Sequence, residues 1–188
     1  MSMTVSRRKD TMTPRVLQHR IADIRGGVSV NTSELGGDFL NEGSVLSAPV
    51  DGICHVIKIA TVAAEVAASG KAIKVKKGSN FKAGDFVMLN VNSAAVKISS
   101  IDETDSEYDT INVATALGAI AAGAAIVEAK ETSTDASAFK YTPFAISGTG
   151  RPFNGKVNVD VDAWVFAVTK GLTLPECVAS CLKGIINY

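Results

Sequence analysis

The sequence is poor in the residues on which disulfide scaffolds and metal sites depend. Its 188 residues include only three cysteines, Cys54, Cys177 and Cys181, and two histidines. An odd cysteine count, without an apolar secretory signal at the N-terminus, predicts reduced thiols in a cytoplasm. A structural zinc site needs four ligands at a recognisable spacing, which these few residues do not supply. We therefore expect no metal site.

Aromatic residues and net charge are also scarce. Aromatic side chains make up 6% of the chain, and its 19 basic residues equal its 19 acidic residues. A neutral chain does not generate the strong overall field that attracts nucleic acid or a membrane surface, so we expect neither as a partner. The longest apolar run, Val113 to Val127, is rich in Ala and Gly and is shorter than the ~20 residues that cross a bilayer.

Motifs for phosphate binding and catalysis are incomplete. The run from Gly148 to Phe153 lacks the third glycine of a dinucleotide-binding loop, and its proline interrupts the helix start that such a loop requires. The run from Gly118 to Gly123 has P-loop spacing, but Ala-Ala follows it in place of Lys-Ser/Thr. Cys54 and His55 are adjacent, and adjacent side chains of a strand point to opposite faces, so they do not form a nucleophile–base pair. We expect no enzymatic activity and no cofactor.

The chain is organised around a stretch that runs from Lys71 to Leu89. Ile73 and Val75 alternate with lysines there, which is the period-two pattern of a half-buried strand. A glycine turn, an apolar anchor at Phe81 and a second glycine turn then lead into a buried strand. This stretch predicts a strand, turn, anchor, turn, strand unit.

Other apolar or alternating runs predict a mainly β fold. The strongest strand, Ile53 to Val62, is apolar on both faces and is expected to be central. Shorter strands are predicted at 44–47, 96–101, 110–113, 125–129, 141–146 and 156–168. The run from Asp102 to Asp109 predicts an acidic loop in solvent. A helix with an apolar stripe is expected from Leu174 to Ile185. The fold class is a compact β-sandwich or barrel-like domain with a short C-terminal helix and an extended N-terminal arm.

Residues 1–38 differ from the rest of the chain and are predicted to be a basic, partner-docking arm. Pro14 is expected to begin a short helix in it, which ends at Gly26-Gly27. An acidic partner surface would order such an arm, and a disordered tail is the alternative interpretation. The β-rich body covers 39–188, either as one unit or as 39–130 and 138–188. The candidate docking residues are Arg7, Arg8, Lys9, Arg15, Arg20 and Arg25.

Two segments carry a resemblance to proteins of tailed-phage heads. One is the Lys71–Leu89 unit with its upstream strand, HVIKIATV. The other is the ending VDAWVFAVTKGLTLPECVASCLKGIINY, in which a strand, a short turn and a terminal helix resemble the C-terminal ends of capsid decoration proteins. The body from Phe39 to Tyr188 is similar to head fibre proteins of phages that infect Bacteroidales. The chain is too short for a long shaft, which favours a decoration protein or a fibre base.

The resemblance implies a virion structural protein on the outer surface of an icosahedral head. The protein would form homo-oligomers, with a trimer expected, and would be made in the cytoplasm of the bacterial host. A terminal extension, to which Met1–Arg25 would correspond, would bind the phage major capsid protein. The body would project outward and stabilise the shell.

Two other functions remain open at this point. One is a carbohydrate- or surface-binding β module without catalytic activity, in which Tyr141, Arg151 and Phe153 would form a recognition surface. Trp164 would join that surface if it were exposed, but its apolar run predicts a core position. The other, less favoured, is a thiol enzyme that uses Cys54 or Cys177.

Overall fold

The computed structural model describes residues 15–188, and these form a mainly β protein. Strands account for 45% and helix for 2%. The predicted fold class is confirmed in its β-rich character and in its single short helix near the C-terminus. The strands form one sheet of eight, one sheet of six and a two-stranded ribbon.

The strands and the helix follow one another along the chain in three groups. The first group is β1 (Leu17–Asp23), β2 (Val28–Asn31), β3 (Phe39–Leu40), β4 (Val45–Ser47) and β5 (Ile53–Ile57). The second is β6 (Ile59–Thr61), β7 (Ala72–Lys76), β8 (Phe86–Met88), β9 (Ala95–Asp102), β10 (Tyr108–Val113) and β11 (Ala125–Ala129). The third is β12 (Pro143–Ser147), β13 (Arg151–Pro152), β14 (Asn158–Val161), β15 (Ala163–Thr169), α1 (Glu176–Ala179) and β16 (Ile185–Asn187).

The six-stranded sheet closes on itself, and we call it the closed sheet. Its order is β6-β11-β8-β9-β10-β7, with antiparallel neighbours throughout. An antiparallel bridge between Val62 and Val75 then joins its two ends, and the Ala63 amide donates to the Lys74 carbonyl at 2.7 Å. Alternate residues point inward, as closure requires. They form a core of Ala60, Val62, Val66, Ile73, Val75, Phe81, Val87, Val96, Ile98, Ile111, Val113, Ile120 and Ile126.

The Lys71–Leu89 unit is confirmed as part of this sheet. Ile73 and Val75 are fully buried in β7, and Phe81 is buried between the two turns. Gly78 and Gly84 both have positive φ values, 83° and 96°, which glycine adopts without the steric cost that a side chain brings.

The eight-stranded sheet curls around a second core, and we call it the curled sheet. Its order is β1-β15-β12-β4-β5-β2-β14, with β16 beside β15. The two ends of this order are connected along the chain. β1 continues into β2, which pairs with β14, and β14 continues into β15, which pairs with β1. The enclosed core comprises Val30, Leu35, Leu40, Leu46, Cys54, Val56, Ala145, Phe153, Val159, Val161 and Ala163.

The separate N-terminal arm is a wrong prediction for the residues that the structure describes. Leu17–Asp23 is a strand paired with β15, where a helix was predicted, and Val28–Asn31 lies inside the curled sheet between β5 and β14. Pairing with distant strands therefore overrides the local helix signal in this segment. Residues 1–14, with Arg7, Arg8 and Lys9, lie outside the described residues.

The predicted division into 39–130 and 138–188 is also wrong. β4 pairs with β12, so the curled sheet draws strands from both of those ranges. The boundary falls instead at Lys58, where the predicted single strand from Ile53 to Val62 breaks into β5 of the curled sheet and β6 of the closed sheet. The closed sheet is thus an insertion, residues 59–129, within the curled sheet.

Two shorter segments also differ from expectation. The helix occupies only Glu176–Ala179, because Ile185 joins β16, which runs parallel to β15. Asp109 belongs to β10 and is buried, where an acidic loop in solvent was predicted; its Oδ1 lies 2.7 Å from Lys77 Nζ. Within residues 15–188, no helix has the length and apolarity to cross a bilayer.

Candidate functional site

The densest group of ionisable side chains lies where the two sheets meet, and we call it the junction cluster. It consists of Glu34, His55, Lys58, Asp85, Glu128, Lys140 and Tyr141. His55 lies on β5 of the curled sheet, and Glu128 on β11 of the closed sheet. Lys58 is the residue between the sheets, so the cluster joins them through charge, beside an apolar core in which Val45 and Ile57 of the curled sheet pack with Met88 and Val127 of the closed sheet.

Lys58 is the buried centre of the cluster. It is 1% exposed, its Nζ lies 2.6 Å from Asp85 Oδ2, and it lies 3.3 Å from Glu128 Oε1. The backbone amide of Lys82 also donates to Asp85 Oδ2 at 2.9 Å. A buried cation needs such partners, because its transfer from water is otherwise very costly. The break in the predicted strand at Lys58 thus places its charge between two carboxylates.

Glu128 is a buried acid of the junction cluster. Burial raises the pKa of its carboxyl group, although the charges of Lys58 and Lys140 act to lower it. Its Oε2 is buried and has no hydrogen-bond partner among the described residues. A protonated Glu128 would lose its Coulomb attraction to Lys58, so the cluster is sensitive to proton binding at this position.

Glu34 accepts hydrogen bonds from Lys140 and Tyr141 on the half-buried side of the cluster. The Tyr141 hydroxyl donates to its carboxylate at 2.9 and 3.0 Å, and Lys140 Nζ lies 3.1 Å from Oε2. Burial acts to raise the pKa of Glu34, but these hydrogen bonds outweigh it and lower the pKa below its ordinary value. The carboxylate is therefore held ionised by its neighbours.

Tyr141 and His55 complete this half of the cluster by stacking. Their ring centroids are 4.0 Å apart with an interplanar angle of 14°, and His55 Nδ1 lies 3.5 Å from Glu34 Oε2. Burial, together with the hydrogen bond to Glu34, raises the pKa of Tyr141 to about 12. Tyr141 thus remains a hydrogen-bond donor over the physiological range of pH.

The chemistry of the junction cluster is that of a structural and proton-binding network. Its members are acids, bases and a phenol, and their polar atoms are directed mainly at one another. Cys54, which is adjacent to His55, instead lies in the apolar core of the curled sheet, where burial raises the pKa of its thiol. The prediction that these neighbours do not pair is therefore confirmed.

Two open clefts flank the turn between Lys77 and Asn80. The larger, of about 570 Å³, lies between the sheets and is lined by Asn41, Glu42, Lys58, Lys76 and Thr173 among others. The smaller, of about 250 Å³, is bounded by Asp38, Glu103 and Asp109. Within residues 15–188, no group of three or more His, Cys, Asp or Glu side chains is placed to hold a metal ion.

The predicted recognition surface does not assemble. Phe153 is 4% exposed and belongs to the core of the curled sheet. Tyr141 has one ring face against His55, and only Arg151 is fully available to solvent. Trp164 is half-buried and packs against the core, as predicted; its indole lies directly over Gly148.

The predicted docking residues that the structure describes are spread along β1 and its flanks. Arg20 lies within that strand, while Arg15 and Arg25 each lie two residues beyond an end of it, and all three are exposed. Their role in docking a partner stays a prediction. The sequence analysis missed the junction cluster, because Lys58, Asp85 and Glu128 are far apart in sequence and each was interpreted by its local pattern alone.

Comparisons of the chain with protein-family models, curated proteins and solved structures found no match.

Proposed function

We propose that this chain is a virion structural protein, a capsid decoration or head fibre protein of a tailed phage. The observation that supports the proposal best is the position of Arg15, Arg20 and Arg25 along β1, the outermost strand of the curled sheet. A β body with a basic edge suits attachment to an acidic protein shell, since complementary charge guides and orients such contacts. The resemblance of the chain's ending to decoration proteins agrees with this role.

The attached protein would stabilise the shell by adding contacts between neighbouring capsid subunits. Three-fold positions on an icosahedral head favour a homotrimer, because closed assemblies match the symmetry of the sites that they occupy. The partner is the phage major capsid protein, and the location is the outer surface of the head. No catalytic step and no cofactor belong to this proposal.

The decisive experiment compares heads that carry the chain with heads that lack it. We expect heads without the chain to burst at a lower temperature, and re-addition of purified chain to restore the burst temperature. Equal burst temperatures would contradict the stabilising role. The native mass of the purified chain, measured by light scattering, tests the trimer separately.

A further inference from the structure

The outward side of β1, β15 and β16 carries an unpartnered apolar surface, which we call the ribbon face. β15 pairs with β1 along one edge and with β16 along the other. Phe166 is 52% exposed, Ile186 60% and Tyr188 66%, and Ile21, in an irregular part of β1, is 58% exposed. Large exposed side chains are ordinary when scattered singly, but here they lie on three adjacent strands.

The strand register places Phe166 and Ile186 on one side of the sheet. Residues that face each other on neighbouring strands share a face. Phe166 faces Ala22, and Val168 faces both His19 and Ile186. The ring of Phe166 lies over Gly184, where any larger residue would collide with it at 2.9 Å. Phe166, Val168 and Ile186 therefore lie on the same side of the ribbon.

Basic residues outnumber acidic ones on and beside the strands of the ribbon face, and we call them its basic rim. Within two positions of its three strands, the exposed cations are Arg15, Arg20, Arg25, Lys170 and Lys183, and the exposed anions are Asp23 and Asp162. Asp23 is already paired with Arg20 at 3.2 Å. Lys170 Nζ lies 5.8 Å from the centre of the Tyr188 ring, at the end of the face. The face is locally positive although the whole chain has no net charge.

Charge decides among the possible occupants. A second copy docked through the same face would bring two positive rims together, which opposes self-association. Pairing at the edge of β1 is also disfavoured, because three register shifts within seven residues and exposed charges protect that edge.

We propose that the ribbon face docks onto an acidic protein surface with an apolar centre. This rests on the proposed function for the identity of the partner, the outer face of the capsid shell, but the chemistry of the face is argued independently. The apolar centre supplies affinity by burying Phe166 and Ile186, and the basic rim supplies orientation. Docking thus uses a preformed part of the sheet.

The test measures binding of the full chain to purified heads that lack it. Phe166→Ala with Ile186→Ala should weaken binding about tenfold or more, because both side chains occupy the centre of the face. Val50→Ala is the control, since Val50 is 52% exposed in the turn between β4 and β5, outside the three strands of the face. Circular dichroism and thermal unfolding confirm that each variant is folded.

A second pair of variants tests the rim without altering any apolar contact. Arg25→Glu with Lys183→Glu should weaken binding and flatten its dependence on NaCl concentration, because charge pairing is screened by salt. Lys97→Glu with Lys130→Glu is the control, since both lysines are exposed and lie on or beside the closed sheet. Soluble polyglutamate should compete with heads for the wild-type chain, and polylysine should not.

The outcomes separate the two proposals. Wild-type binding with no loss in the Phe166/Ile186 variant overturns the ribbon face and leaves the proposed function intact. If the wild-type chain does not bind heads, the proposed function fails. The ribbon face is then tested by placing a photo-crosslinking residue at position 166 in cells that produce the chain. An adduct that disappears with Arg25→Glu/Lys183→Glu supports an acidic protein partner, and no protein adduct overturns it.

Two further results would also overturn it. One is binding to vesicles of anionic phospholipid that depends on Phe166 and Ile186, which would assign the face to a membrane. The other is a change in native mass caused by the same substitutions, which would assign the face to a second copy of the chain.

Discussion

The closed sheet and the curled sheet both enclose an apolar core, but they differ in how many apolar side chains they leave exposed. Each is a small set of strands around an apolar core, yet all seven of the large apolar side chains that are most exposed in residues 15–188 lie outside the closed sheet, at Ile21, Val50, Phe144, Val157, Phe166, Ile186 and Tyr188. Closure pairs the strand edges and directs apolar residues inward. The curled sheet keeps an additional edge at β1 and an uncovered face, so it is the part of the molecule available for contacts.

The largest effect is expected at the residue that joins the two sheets. Lys58→Met would leave the buried carboxylate of Asp85 without its cation and Glu128 with Lys140 alone, 3.3 Å away, and we expect a loss of about 3–5 kcal/mol in the free energy of unfolding. Urea unfolding of both proteins measures it. The triple variant Lys58→Met/Asp85→Asn/Glu128→Gln should recover part of the loss, because it removes the uncompensated charges. A stable single variant would show that the sheets do not depend on this ion pair.

The next prediction applies one substitution to both sheets. Ile126→Ala, in the core of the closed sheet, should cost about 2–5 kcal/mol through lost burial and a residual cavity. Ile186→Ala, on the ribbon face, should change stability by no more than about 0.5 kcal/mol. Equal costs from the two substitutions, measured by denaturant unfolding, would mean that the ribbon face is not exposed in the free protein.

The two sheets also differ in how well their features could be predicted from the sequence. The Lys71–Leu89 unit was predicted in detail because strict alternation and positive-φ glycines are local signals. The helix expected after Pro14 was wrong because β1 obtains its structure from β15, some 140 residues away, a partner that no local pattern indicates. Ile186 follows the helix predicted from Leu174 to Ile185, and only the parallel register with β15 places it opposite Val168, on the side that carries Phe166.

The candidate sites divide in the same way. The exposed charge of Arg15, Arg20 and Arg25 was predictable, because arginine is rarely buried without a partner. The burial of Lys58 was not, since an alternating strand with a lysine on one face is normally interpreted as half-solvated. Its partners, Asp85 and Glu128, come from turns and strands that meet it only after the closed sheet has formed.

A smaller effect is expected at Tyr141, on the half-buried side of the junction cluster. Its pKa is raised from 10.0 to about 12, so the unfolded tyrosine ionises first as the pH increases. Its contribution to stability is therefore fully present below pH 10 and is lost as the pH rises towards 12. Absorbance at 295 nm should show one late-titrating tyrosine, which Tyr141→Phe removes. Glu34→Gln should move that titration to lower pH.

The smallest effect is expected in the thiol reactivity of the three cysteines, which range from buried to exposed. Cys54 lies in the core of the curled sheet, Cys177 is half-buried, and Cys181 is exposed after α1. Burial raises the pKa of the Cys54 and Cys177 thiols, which lowers their reactive thiolate fraction. Brief iodoacetamide treatment of the folded protein should label Cys181 first, as peptide mass spectrometry would show. Rapid labelling of Cys54 would contradict its enclosed position.

The insertion of residues 59–129 between β5 and β12 also has a consequence for the order in which the protein acquires its structure. The closed sheet is complete once Ala129 has been synthesised, whereas the curled sheet must wait for β12, β14 and β15 from the last quarter of the chain. Domains generally fold as their sequences emerge from the ribosome, and distant pairings form slowly. In pulse-labelled hydrogen exchange during refolding, amides of β7–β10 should gain protection before those of β1 and β15. The surface proposed for docking would then be the last part of the protein to form.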